Sequence, residues 1–185
     1  IPAFHAHEKV NGKPGKGEYV LYHGNLSVIE NRNATQFIIE KLFKDLKIPL
    51  KIAGLNPSKE IVRLIGDYPT VELIQNPTDK EMNELIRNAQ INLLYTEQAT
   101  GLKLKLLNVL YKGRHCIVNP KMVEGTSLGK LCLMGKNSVE LKQLILATYN
   151  RAFHKDEIEV RELLLSREYA NEISFQKIIE AVHNQ

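Results

Sequence analysis

Short apolar runs alternate with stretches of helical periodicity about six times along this chain. That alternation constrains the fold more than any other feature. The runs YVLYHG (19–24), LKIAGL (50–55), VELI (71–74), INLLYT (91–96), HCIV (115–118) and KLCLM (130–134) read as strands. Helical spacing places Phe37, Ile38, Leu42 and Phe43 on one face of a helix from Asn31 to about Leu46. Further helices are expected from Ser58 to about Ile65, from a Thr78 or Asp79 cap to Ala89, from Gly101 to Lys112 with Gly113 as its stop, and from Ser138 to about Tyr149. From about Lys155 the remainder reads as helical, with two amphipathic stretches, IEVRELLLSREY and ISFQKIIEAV. The pattern is that of an α/β fold, a Rossmann-like doubly wound parallel sheet of about six strands with helices on both faces. Such sheets take ligands beyond the C-terminal ends of their strands, near the point where strand order reverses.

At 185 residues and 43% hydrophobic, the chain can build one domain with a substantial core. Residues 1–18 are rich in glycine, proline and lysine without periodicity and read as a linker, leaving 19–185 as the domain. The chain opens on Ile1 and not on Met, so a piece of a longer protein is expected.

Charge narrows the partners. A net charge of +4, with no basic stripe interleaved with aromatics, predicts no nucleic-acid partner. The two cysteines, Cys116 and Cys132, sit in apolar runs and read as buried free thiols; no C-x-x-C spacing exists. No apolar run has transmembrane length and no signal-peptide pattern opens the chain, which points to the cytoplasm. His5 and His7 lie on the expected linker without carboxylate partners, so no metal site is expected. GKPGKGEY lacks the Gly-Lys-Ser/Thr of a phosphate-binding loop and precedes a strand, and no G-x-G-x-x-G follows the first strand.

The richest candidate site is the helix after the fourth strand. Gly101, Lys105, Asn108 and Lys112 recur at i, i+4, i+7 and i+11 and form one polar stripe. Leu102, Leu106, Val109 and Leu110 form an apolar stripe beside it, and Leu104, Leu107 and Tyr111 another. A glycine at a helix N-terminus, at the C-terminal end of a strand, favours an anion, and a lysine one turn in adds positive charge. A solvated surface stripe would carry the same residues, and spacing alone leaves that alternative open. A second patch, HGNLSVIENRN, follows the first strand and places Gly24 at its end. His23, just before it, reads first as a core or rim histidine, with contact to a ligand as the alternative.

Read together, these segments resemble the C-terminal half of a two-domain (GT-B type) glycosyltransferase of group 1, family 4. YHGNLSVIENRNATQF is similar to that family's glycine loop and Asn-initiated helix, with Gly24 and Asn31 matching. LKIAGLNPSKEI looks like its strand ending in Gly-x-x-Pro, and VELIQNPTD like the next strand and turn, with Asp79 matching. GLKLKLLNVLYKGRHCIVNPKMVEG looks like the donor-binding helix, the following strand and its EG turn, with Gly101, Lys105, Gly113, Glu124 and Gly125 matching. The resemblance runs from about Tyr19 to Ile145.

What it implies is the donor-binding half of a retaining hexosyltransferase that uses a nucleotide-sugar, such as a UDP- or GDP-sugar, without a metal or other cofactor. Lys105 would be the catalytic cation, meeting the donor diphosphate together with amides near Thr100, Gly101 and Leu102. Gly24 and Asn25 would face the phosphates or the transferred sugar, and the turn at Gln75, Asn76 and Pro77 the base through its backbone. Asn108 would face the ribose. A glycan or lipid-linked acceptor would be bound by an N-terminal domain outside this chain, so the chain alone would bind without turnover. The parent protein would be cytoplasmic or peripheral at the inner face of the membrane. The sequence departs from the family at three positions: Asn25 stands for an arginine, and Thr100 and Asn108 for glutamates. Asn has one acceptor oxygen and no charge, so it can replace a ribose-binding glutamate only in part. These departures keep a second reading open, a non-catalytic relative retained as a nucleotide-binding or scaffolding module.

Overall fold

A computed structural model describes residues 4–98 and 104–183. Its centre is a six-stranded sheet made of β1 (Val20–Asn25), β2 (Leu50–Leu55), β3 (Val71–Gln75), β4 (Ile91–Leu94), β5 (His115–Val118) and β6 (Leu133–Met134). The strands lie in the order β3-β2-β1-β4-β5-β6 and every pair is parallel. This is the doubly wound arrangement expected, with strand order reversing between β1 and β4. The helices are α1 (Ile29–Phe37), α2 (Lys59–Gly66), α3 (Asp79–Asn88), α4 (Leu104–Lys112), the short α5 (Pro120–Val123), α6 (Ser138–Tyr149), α7 (Lys155–Glu168) and α8 (Asn171–His183).

Side chains alternate across each strand, so the sheet feeds two cores. Val20, Tyr22, Ile52, Leu93 and Ile117 pack under α1, α2 and α6. Leu21, Ala53, Leu94, Cys116 and Val118 pack under α3, α4 and α7. Strands buried on both faces read as near-continuous apolar runs, which is why they were visible in the sequence.

Three local features differ from expectation. The helix after β1 begins at Ile29, two residues early, and passes at Ile38–Phe43 into a π-helical segment. The wider π turn brings Ile38, Ile39, Leu42 and Phe43 all into the core. The sixth strand shrinks to Leu133–Met134 because residues 128–131 form a 3-10 turn anchored by buried Leu128. Finally, residues 4–18, expected to be a linker, lie against the domain. The Asn11 amide donates to the Tyr111 carbonyl at 2.8 Å, Gly15 bridges to Phe153, and the Gly17 amide donates to Gln90 Oε1 at 2.7 Å. His5 exchanges two hydrogen bonds with the Asn171 side chain.

Candidate functional site at the switch between β1 and β4

β1 and β2 pair over six residues, as far as Asn25↔Leu55, whereas β1 and β4 pair only at Val20↔Ile91 and Leu21↔Asn92. Past Leu21 the two strands part. The sheet therefore opens at its C-terminal edge where strand order reverses, the place at which this fold receives ligands.

Residues from β1, α1 and α4 meet there. Lys105, in the first described turn of α4, reaches to the end of β1. Its Nζ lies 3.4 Å from Asn31 Oδ1 and 5.8 Å from the Tyr22 ring centroid. The Tyr22 hydroxyl donates to the same Asn31 oxygen at 3.2 Å, and Asn31 Nδ2 donates to the Asn25 carbonyl at 2.9 Å. Asn31 thus ties the glycine loop, the strand end and the lysine together; in the sequence it stood out as a helix start and as a position matching the resembling family, not as a contact of the lysine. Gly24 fits beneath it, since a Cβ at that position would sit 3.0 Å from the Asn31 side chain.

α4 presents the polar stripe anticipated. Lys105, Asn108 and Lys112 are half-buried, while Leu106, Leu107, Val109, Leu110 and Tyr111 are buried. Leu104, expected in an apolar stripe, is 45% exposed at the rim. Lys112, at the far end, donates to Asn83 Oδ1 of α3 at 2.7 Å. Thr100, Gly101 and Leu102 lie outside the described residues.

The other expected positions have definite jobs. Asn25 Oδ1 accepts from the amide and hydroxyl of Ser27, at 3.0 and 2.7 Å, so this side chain folds its own loop. Asn76 ends β3 in the left-handed region, φ 50°, and its Oδ1 accepts from the Asn56 amide at 2.8 Å. Its side-chain oxygen is thereby engaged, and its backbone amide donates to the Gly54 carbonyl at 2.9 Å. The described first part of the loop after β4, residues 95–98, is held at two points. Buried Asn119 brackets Thr96, accepting from its amide at 3.2 Å and donating to its carbonyl at 2.7 Å. Gln98 Nε2 reaches back to Glu30 Oε1 of α1 at 2.8 Å. Asn119 gave no signal in the sequence because its partner lies 23 residues away.

His23 is strongly perturbed. Burial, reinforced by the charge of Lys105, pushes its imidazole down to about 3, so the ring is neutral across the physiological range.

No protein-family model matches the chain, and no curated protein matches it in sequence. Solved structures do match in shape. A glycosyltransferase from Rickettsia africae ESF-5 superposes with a TM-score of 0.69 at 12% identity, over 89% of this chain and 47% of that one. A TarM mutant of S. aureus, in complex with Fondaparinux, alpha-GlcNAc-glycerol and UDP, gives 0.67 at 14% identity, over 94% and 37%. An alpha,alpha-trehalose-phosphate synthase (UDP-forming) from Burkholderia xenovorans gives 0.64 at 10% identity, over 92% and 44%. The chain spans less than half the length of each of these proteins. In its fold, this chain is similar to one Rossmann-like unit of the GT-B architecture.

Proposed function

We propose that the chain is the donor-binding half of a retaining glycosyltransferase, taking a nucleoside-diphosphate sugar at the β1–β4 switch and handing the sugar to an acceptor bound by a second domain. The observation that carries this reading is the placement of Lys105, a cation brought across the end of β1 to within 3.4 Å of Asn31, beside a strand whose last residue but one is Gly24. Cleavage of the donor's glycosidic bond leaves negative charge on the departing diphosphate. A fixed ammonium at that point stabilises charge where it develops. Gly24 supports the role by letting the Asn31 side chain, which contacts Lys105, pack directly against the strand end. Asn108, further along the same helix face, is proposed to accept from a ribose hydroxyl.

The test is calorimetric titration of the 185-residue chain with UDP, GDP and ADP, beside Lys105→Ala. One diphosphate is expected to bind, and the variant to lose roughly ten- to hundredfold in affinity, the worth of a charge-assisted contact. Absence of binding to all three at millimolar concentration would reject the reading for this chain. The second reading, a non-catalytic binding module, is favoured by one observation. Asn25, where the resembling family places an arginine, spends its side chain on Ser27. Nucleotide-sugar turnover by the parent protein would eliminate it.

A further inference from the structure

His23 is the last buried residue of β1, next to Gly24, and it is only 7% exposed. Its Nε2 is buried and has no hydrogen-bond partner among the described residues. A buried polar atom left unpaired is costly, and proteins keep few of them; where one persists beside a cleft, the missing partner is often a ligand. Three features of the setting say which kind. The strand carrying His23 parts from β4 two residues earlier. Lys105 is close enough that its charge bears on the His23 ring. Asn31, the lysine's neighbour, lies across the same strand end. A cation and an unspent imidazole nitrogen gathered at one strand end suit an anionic oxygen.

Building on the donor-site reading above, we infer that His23 is a second contact to the donor diphosphate, its Nε2–H donating to a phosphate oxygen held by Lys105. The ring is suited to donate without being charged. Burial and Lys105 keep it neutral, so it adds a directed N–H to the site without a second positive charge repelling the lysine. Neither composition nor helical spacing marks this residue, because a single histidine in an apolar strand carries no pattern.

The experiment compares the chain with His23→Gln and His23→Leu, titrating each with whichever of UDP, GDP and ADP the unaltered chain binds. Gln keeps a side-chain N–H near the Nε2 position and is expected to bind within about threefold of the original. Leu is expected to lose roughly tenfold or more. Thermal melting supplies the control that separates ligand contact from packing. Filling the site with an apolar side chain removes an unpaired buried nitrogen, so His23→Leu should melt no lower than the original while binding worse. Nitrogen-15 spectra of the histidines, with His23→Gln assigning the resonance, should show the His23 Nε2 signal moving on saturation with the diphosphate. If the chain binds a diphosphate but His23→Leu binds it equally and the resonance stays still, the inference falls and the donor-site reading stands. If no diphosphate binds, both fall together.

Discussion

Backbone crowding at single residues sets the shape of the site. A Cβ on Gly54 of β2 would lie 1.9 Å from the Gly24 carbonyl oxygen and 2.9 Å from the Leu26 side chain. The first is a backbone atom, so a larger residue at 54 must displace the end of β1, and with it the glycine loop. Gly54→Ala is expected to cost about 3 kcal/mol, at the upper end of overpacking penalties, as measured by urea unfolding. It should also weaken nucleotide binding without touching a nucleotide. A cost below about 0.5 kcal/mol would show that the strand end yields freely, and that Gly54 does not shape the site. Lys105 was legible at this scale because a helix repeats, and its neighbours at 108 and 112 announced a face. His23, Asn31 and Asn119 were not legible as a group. They meet through strand order and loop closure, which a linear pattern does not encode.

Elements in this chain are punctuated by a turn used twice. β2 ends in LNPS and β3 in QNPT, and each leads to a helix capped by the Ser or Thr. Asn56 and Asn76 both adopt positive φ, 49° and 50°, a conformation that Asn tolerates better than other side chains. The two turns are also joined, since Asn76 Oδ1 accepts from the Asn56 amide at 2.8 Å. Asn76→Ala therefore loses a hydrogen bond and places Ala in the left-handed region. Together these are expected to destabilise the fold by about 2 kcal/mol. Asn76→Gly, which relieves the backbone, should recover part of that loss in the same denaturant titration. Equal stabilities of the Ala and Gly variants would refute the account. Strands and capped helices such as α3 were readable because their signals are local: apolar runs, Asn-Pro breaks, and a Thr78–Glu81 capping box. The π segment at 38–43 was not readable. Its extra residue per turn is stabilised by burying Ile38, Ile39, Leu42 and Phe43 together, which depends on the sheet and α6 being in place.

Across the whole molecule, the N-terminal segment and the last helices close around α4 and β5 through neutral histidines. Gln90 is fully buried where these parts converge. Its oxygen accepts from the Gly17 amide, and its nitrogen donates to the carbonyls of Thr148 and Arg151. Beside it, His115 Nε2 lies 3.1 Å from the Arg151 carbonyl, while the Arg151 guanidinium approaches His115 Nδ1 at 2.9 Å. That pair of contacts fits a ring with one proton on Nε2 and an open acceptor at Nδ1; a second proton would point at the arginine. Burial, opposed by the Arg151 carbonyl bond and reinforced by the arginine's charge, holds His115 down to about 4, although Glu157 lies 3.8 Å away. His5, His7 and Tyr111 form a triangle of mutually contacting rings, and burial with the charges of Lys112 and His5 lowers His7 to about 4. His23 is lowered further, to about 3, by burial and Lys105.

All three shifts have the same sign. The unfolded chain binds protons at these sites near pH 6.5, before the folded chain does, so stability rises with pH wherever the two differ. The contribution is complete above 6.5 and is lost progressively as pH falls through that value toward about 4. Carboxylates begin to protonate only toward the lower end of that window, so histidines dominate its upper part. The melting temperature should accordingly hold steady above about pH 7 and fall measurably by about pH 5. A melting temperature flat across that interval would mean that these rings are already charged in the fold, contrary to the His115–Arg151 geometry.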